Sequence, residues 1–99
     1  MFTGILTLDL RLGDVHSLKE KRGVVRPILA EVRRRFEVAV AEVGHLDLHR
    51  RSLIGVAVIA ADAAHCRHVL EACERWVADR PDVELLSAHQ RLVGEEDDE

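Results

Sequence analysis

Two short stretches carry residue types whose spacing suits chemistry. In HLDLH, His45, Asp47 and His49 alternate and would project to one side of an extended chain, two imidazoles and a carboxylate of the kind that hold zinc or a similar divalent ion. In VHSLKEKRG, Val15 to Gly23, the cations Lys19, Lys21 and Arg22 crowd the start of a helix, where the backbone dipole is already positive. The first set has no clear fourth ligand or supporting shell, and alternating polar residues between strands usually just face water, so neither metal nor cofactor is expected. HCRH, with His65 and His68 one turn apart, is a weaker set still, with only Asp62 nearby as a further ligand. The cationic set is the better lead. Each exposed cation there opposes the dipole by about 0.3 to 1 kcal/mol, yet together with the free N–H groups of a helix start such cations suit an anion.

The elements that would position these residues follow from periodicity. FTGILTLDLRL alternates strictly, with Phe2, Leu6, Leu8, Leu10 and Leu12 on one face and Thr3, Ile5, Thr7 and Asp9 on the other, which predicts a half-buried strand. Gly13 and Asp14 turn the chain, and Ser17 with Glu20 forms the S-x-x-E box that starts a helix. Leu18, Val25, Ile28, Leu29, Val32 and Phe36 then fall in one stripe to about Phe36, with a kink expected at Pro27, which has no N–H for the Gly23 carbonyl. Val38 to Gly44 and Leu53 to Ala61 read as an antiparallel hairpin with a long connection. Asp62 caps a second helix whose inward stripe is Cys66, Val69, Leu70, Cys73 and Val77 and which ends before Pro81. Val83 to Val93 is the last strand. The order is βαββαβ, the ferredoxin-like α+β sandwich: a four-stranded antiparallel sheet with two helices on one face.

That fold makes one strand conspicuous. Leu53 to Ala61 is apolar on both parities, so whichever face meets the helices, the other leaves an apolar surface on the open side of the sheet. A second copy of the chain is the economical cover, and a homodimer is expected.

Charge is sorted along the chain and around the first helix. Net charge is −4, but Met1 to Arg51 carries ten basic and seven acidic residues, whereas Ser52 to Glu99 carries four and eleven, five of the latter in the final EEDDE. Residues 1–93 are therefore expected to form one domain and residues 94–99 an acidic, disordered tail. With Leu18 at 0° on the helical wheel, Arg22, Arg33, Arg26 and Lys19 lie at about 40°, 60°, 80° and 100°, while Glu20 and Glu31 lie near 200° and 220°. One basic flank therefore borders the buried stripe, a footprint suited to a phosphate backbone. Cys66 and Cys73, about 10 Å apart along a helix, are too distant for a disulfide and read as buried thiols. No apolar run approaches a membrane span and no secretory leader is apparent, so a soluble cytoplasmic protein is expected.

HSLKEKR from His16 to Arg22, RRRFEVAVAEVGHLDL from Arg33 to Leu48 and the strand GVAVIA resemble the YlxP-like family of small bacterial proteins of unassigned function, over about Phe2 to Leu92. The resemblance implies a ferredoxin-like fold and a bacterial cytoplasmic protein. Genes of that family tend to sit beside those for transcription termination, translation initiation and ribosome maturation, which implies a connection to RNA or the ribosome. Its motif positions fall here on His16, Ser17, Leu18, Lys19, Lys21, Arg22, Glu42, His45, Asp47 and Arg51, without assigned roles. Gly23, Pro27, His49 and the acidic tail depart from the pattern.

Enzymatic chemistry has little support. There is no Gly-rich phosphate loop or nucleophile elbow, and GDVHSLKEKR lacks the arginine cradle of the acylphosphatases, which share this size and topology. The outward residues of the first strand include no aromatic for stacking bases as RNA-recognition motifs do. The expected function is that of a non-catalytic accessory protein that binds RNA or ribosomal particles by charge and shape through Lys19, Lys21, Arg22, Arg26, Arg33 and Arg51. The alternatives are a dimeric regulatory domain for a small ligand and a protein-interaction module.

Overall fold

The computed structural model describes residues 1–94. In it the alternating segment forms β1 (Phe2–Leu12), followed by α1 (Leu18–Phe36), β2 (Ala39–Gly44), β3 (Arg51–Ala60), α2 (Ala63–Ala78) and β4 (Val83–Gly94). The strands form one antiparallel sheet in the order β2-β3-β1-β4, so the βαββαβ sandwich is the observed fold. Glu95 to Glu99, the rest of the expected acidic tail, lie outside the described residues. No helix among the described residues is long and apolar enough to cross a membrane.

Each helix starts where its cap predicts. Ser17, in an extended conformation, accepts from the Glu20 N–H at 3.1 Å, and Asp62 accepts from the Ala64 N–H at 2.8 Å. α1 continues through Pro27 without a break. Pro27 and Gly23 are both on the exposed side, so water can reach the carbonyl that Pro27 leaves without a donor. α2 buries Cys66, Leu70, Cys73 and Val77, as its stripe predicts. In α1 the buried set is Lys21, Val25, Ile28 and Val32, whereas Leu18, Leu29 and Phe36 are only partly buried. The buried arc is thus turned from the expected one, with a lysine inside it.

The core lies between the helices and one face of the sheet. Leu6, Leu8, Leu10 and Leu12 of β1 and Ile54 and Val56 of β3 point into it, which settles the parity of the two-sided apolar strand. Leu53, Gly55, Ala57 and Ile59 face the open side. Gly4 occupies a core position of β1 where any side chain would be crowded. A Cβ there would stand 2.9 Å from Leu70 Cδ1 and 3.1 Å from Cys66 Cβ. Gly4→Val should therefore destabilise the fold by about 1 to 3 kcal/mol through overpacking, read as a lower urea midpoint at unchanged m-value.

Cys66 and Cys73 are free and buried. Burial pushes the Cys73 thiol up from 9.0 to about 11. The fold thereby favours the neutral thiol, and this contribution is complete below the unfolded value. Stability should fall as pH rises from 9.0 towards about 11, where the unfolded chain ionises first. Urea midpoints across that range would follow the loss, and a Cys73→Ala control should lack this component.

Candidate functional site

Three polar residues at inward-facing positions meet where α1 begins. Lys21, on the buried arc of α1, is 3% exposed, and its Nζ lies 2.8 Å from Glu42 Oε2 of β2. Ser52 of β3, fully buried, donates its hydroxyl to the same Oε2 at 2.7 Å. Lys21 also donates to the carbonyl of His45 at 2.8 Å. His45 takes a left-handed conformation with φ 57° and closes a turn by accepting from the Leu48 N–H at 3.0 Å. One ammonium therefore fastens the first helix to both the edge strand and the connection that leaves it. No buried side-chain nitrogen or oxygen among the described residues lacks a hydrogen-bond partner.

The connection carries the His45 side chain to a second cluster on the open side of the sheet. Arg51 of β3 holds Asp9 of β1 through Nη2, 2.9 Å from Oδ1 and 2.8 Å from Oδ2. His45 Nε2 lies 3.5 Å from Asp9 Oδ1 and 3.4 Å from Arg51 Nη2. Asp47 and His49 remain exposed in the connection. The three polar residues of HLDLH thus do not share one set of partners, and no group of three or more His, Cys, Asp or Glu suited to a metal occurs among the described residues. His16 pairs with exposed Asp14 at 2.7 Å, apart from both clusters.

These contacts divide the six cations expected to meet phosphate. Lys21 is not on the surface, Arg51 is committed to Asp9, and Arg33 donates to the Val40 carbonyl of edge strand β2 at 3.1 Å. Lys19, Arg22 and Arg26 are exposed, and none of them enters an ion pair among the described residues. Farther along α1, Arg34 and Arg35 both bind Glu31. The Arg34 hydrogen bond, then that of Arg35, holds the Glu31 carboxyl below the usual carboxylate range, and the Glu31 bond raises Arg34 in turn. Arg35 also stands 5.5 Å from the Trp76 ring centroid, with Arg80 at 4.3 Å.

Two of these cations, Arg22 and Arg26, border a groove between α1 and the β2–β3 connection. It holds about 220 Å³ and is lined by Leu18, Lys21, Arg22, Val25, Arg26, Leu29, Glu42 and Leu46. Glu42 is its only carboxylate, and Lys21 neutralises it at 2.8 Å, so Arg22 and Arg26 leave the lining with a net positive charge. Such a surface can bind an anion without displacing an internal partner. Leu18 and Leu29, expected in the core stripe, form its apolar wall, and Leu29 is half-buried against the core as well. Ser52 and Asp9, partners to the motif residues, did not stand out in the sequence. The available signal was polar character at inward positions on adjoining elements, which Lys21, Glu42 and Ser52 share.

The family model described as "Protein of unknown function (DUF503)" matches residues 3–90. The uncharacterized protein YlxP of Bacillus subtilis (strain 168) is 31% identical over 81 residues, covering 82% of this chain and 88% of that relative.

Proposed function

The chain belongs to the DUF503 family, and we propose that it acts as a non-catalytic accessory protein that binds RNA, free or in ribosomal particles, through Lys19, Arg22 and Arg26 of α1. One observation carries this reading: these three cations are exposed on one flank and form no ion pair among the described residues, while the carboxylate that lines the groove beside Arg22 and Arg26 is already neutralised by Lys21. Phosphates approaching the flank would meet unscreened guanidinium and ammonium groups and lose little to local repulsion. Lys21, Glu42, Ser52, His45, Asp9 and Arg51 serve the site by fixing the helix start and the adjoining connection. Base-specific readout is no part of the reading, since contacts of this kind track the backbone.

A second reading, an acidic protein segment docked in the same groove, is favoured by its apolar wall and by Leu46 and Leu48, which are 59% and 47% exposed. Fluorescence titration of a structured RNA and of a single-stranded RNA, with an acidic amphipathic peptide as competitor, separates the two. RNA binding that is lost in a Lys19→Ala, Arg22→Ala, Arg26→Ala variant supports the first. Peptide binding without RNA binding would replace it with the second.

A further inference from the structure

The groove beside Arg22 and Arg26 sorts its chemistry in depth as well as along α1. The two guanidinium groups at its border sit one helical turn apart, about 6 Å along the axis. Leu18, Val25 and Leu29 of α1 form one apolar wall, and exposed Leu46 of the β2–β3 connection forms the other. Lys21 and Glu42 complete the lining, and each keeps part of its hydrogen-bonding capacity unspent. Glu42 takes both of its bonds, from Lys21 and Ser52, on Oε2, and its Oε1 has no partner among the described residues. Oε1 is open to solvent, since no buried side-chain oxygen among these residues is left without a partner. The Lys21 ammonium gives two of its three protons, to Glu42 and to the His45 carbonyl. An acceptor and a donor therefore stand side by side in the lining.

We propose that this groove takes one unpaired base of an RNA strand, its base-pairing edge turned to Glu42 and Lys21 and its flanking phosphates on Arg22 and Arg26, so that the protein selects single-stranded over duplex RNA. The inference rests on RNA being the ligand of this flank, and it adds which form of RNA is taken. A phosphate or a side-chain carboxylate brought against Oε1 has no proton to give it, whereas a neutral group that both donates and accepts satisfies the pair. The anionic part of the ligand thus belongs on the arginines, and its neutral part inside. Every nucleobase presents an adjacent donor and acceptor on its pairing edge, and in a duplex that edge is already occupied. The groove accordingly distinguishes an unpaired base from a paired one, without distinguishing one base from another.

Size agrees with this occupant. The groove's volume of about 220 Å³ is below the roughly 300 to 1,000 Å³ of sites that enclose whole small ligands, and it suits a single planar ring system. Leucines on both sides give the ring faces apolar contact where no aromatic residue lines the groove.

Fluorescence anisotropy at low salt tests the inference with three labelled ligands of equal length: a single-stranded RNA, the same strand in a blunt duplex, and an oligomer of the same ribose-phosphate backbone without bases. Wild type should bind the single strand roughly tenfold more tightly than either of the others, the scale of one bound base. Leu46→Ser, at an exposed position of the wall, should lower single-strand affinity about fivefold at an unchanged salt slope, since apolar area is lost and no cation. Equal wild-type affinity for the single strand and the base-free oligomer, or for the single strand and the duplex, overturns the inference and leaves the RNA reading standing. So does a preference undiminished in Leu46→Ser. The wild-type comparison decides alone if that variant does not fold. Binding of none of the three ligands removes the inference and the RNA reading together.

Discussion

Lys21→Ala should lower the free energy of unfolding by about 2 to 3 kcal/mol, whereas Lys19→Ala, in the first turn of the same helix, should stay within about 0.5 kcal/mol of wild type. Removing one partner of a buried ion pair commonly costs about 3 to 5 kcal/mol, because the remaining charge is left without compensation. Here the remaining charge is Glu42, whose side chain is 21% exposed, so water recovers part of the loss. The Ser52 hydroxyl still donates to Glu42, but the His45 carbonyl loses its ammonium donor. Lys19 has no such dependants, and removing it relieves an unfavourable charge at the helix start, which can even stabilise slightly. Urea denaturation with a common m-value gives both numbers. Replacing the pair together, Lys21→Met with Glu42→Leu, should recover only part of the loss, since apolar substitutes for a buried pair are often close to neutral but the buried Ser52 hydroxyl loses its acceptor. An equal, small effect of Lys21→Ala and Lys19→Ala would refute the network as a source of stability.

Most of the architecture was legible because periodicity reports burial directly. The alternation of β1, the Ser17 and Asp62 caps and the stripe of α2 each follow from a local rule, and the element order leaves few topologies to choose among. The parity of β3 was not legible, because a strand apolar on both faces has no internal signal of its orientation. Its partners decide: Gly4, Leu6, Leu8 and Leu10 bring the Ser52, Ile54 and Val56 side of β3 inward. The site was legible only in part. Lys21 lies near 300° on the same wheel that places Val25, Val32 and Ile28 at about 340°, 320° and 280°, inside the buried arc. Its charge suggested the surface, while its angle indicated the core, and the angle prevailed because Glu42 occupies the inward parity of β2 opposite it. Arg33 and Arg51 show the other difficulty: their backbone and cross-strand partners, Val40 and Asp9, are brought close only by the folded sheet.

The second large effect concerns Lys19, Arg22 and Arg26. Replacing all three with alanine should weaken RNA binding by at least an order of magnitude at low salt, similarly across sequences, because backbone contacts carry no sequence information. Folding should be little affected, since no ion pair among the described residues is lost. Arg51→Lys, at a position committed to Asp9, should change affinity far less than the triple replacement. The most direct measurement is the slope of log affinity against log salt concentration for a single-stranded RNA, by fluorescence anisotropy, for wild type and the triple variant. Three lost phosphate contacts should make that slope shallower by about 2. Parallel slopes with equal affinities would contradict the assignment of these cations to RNA.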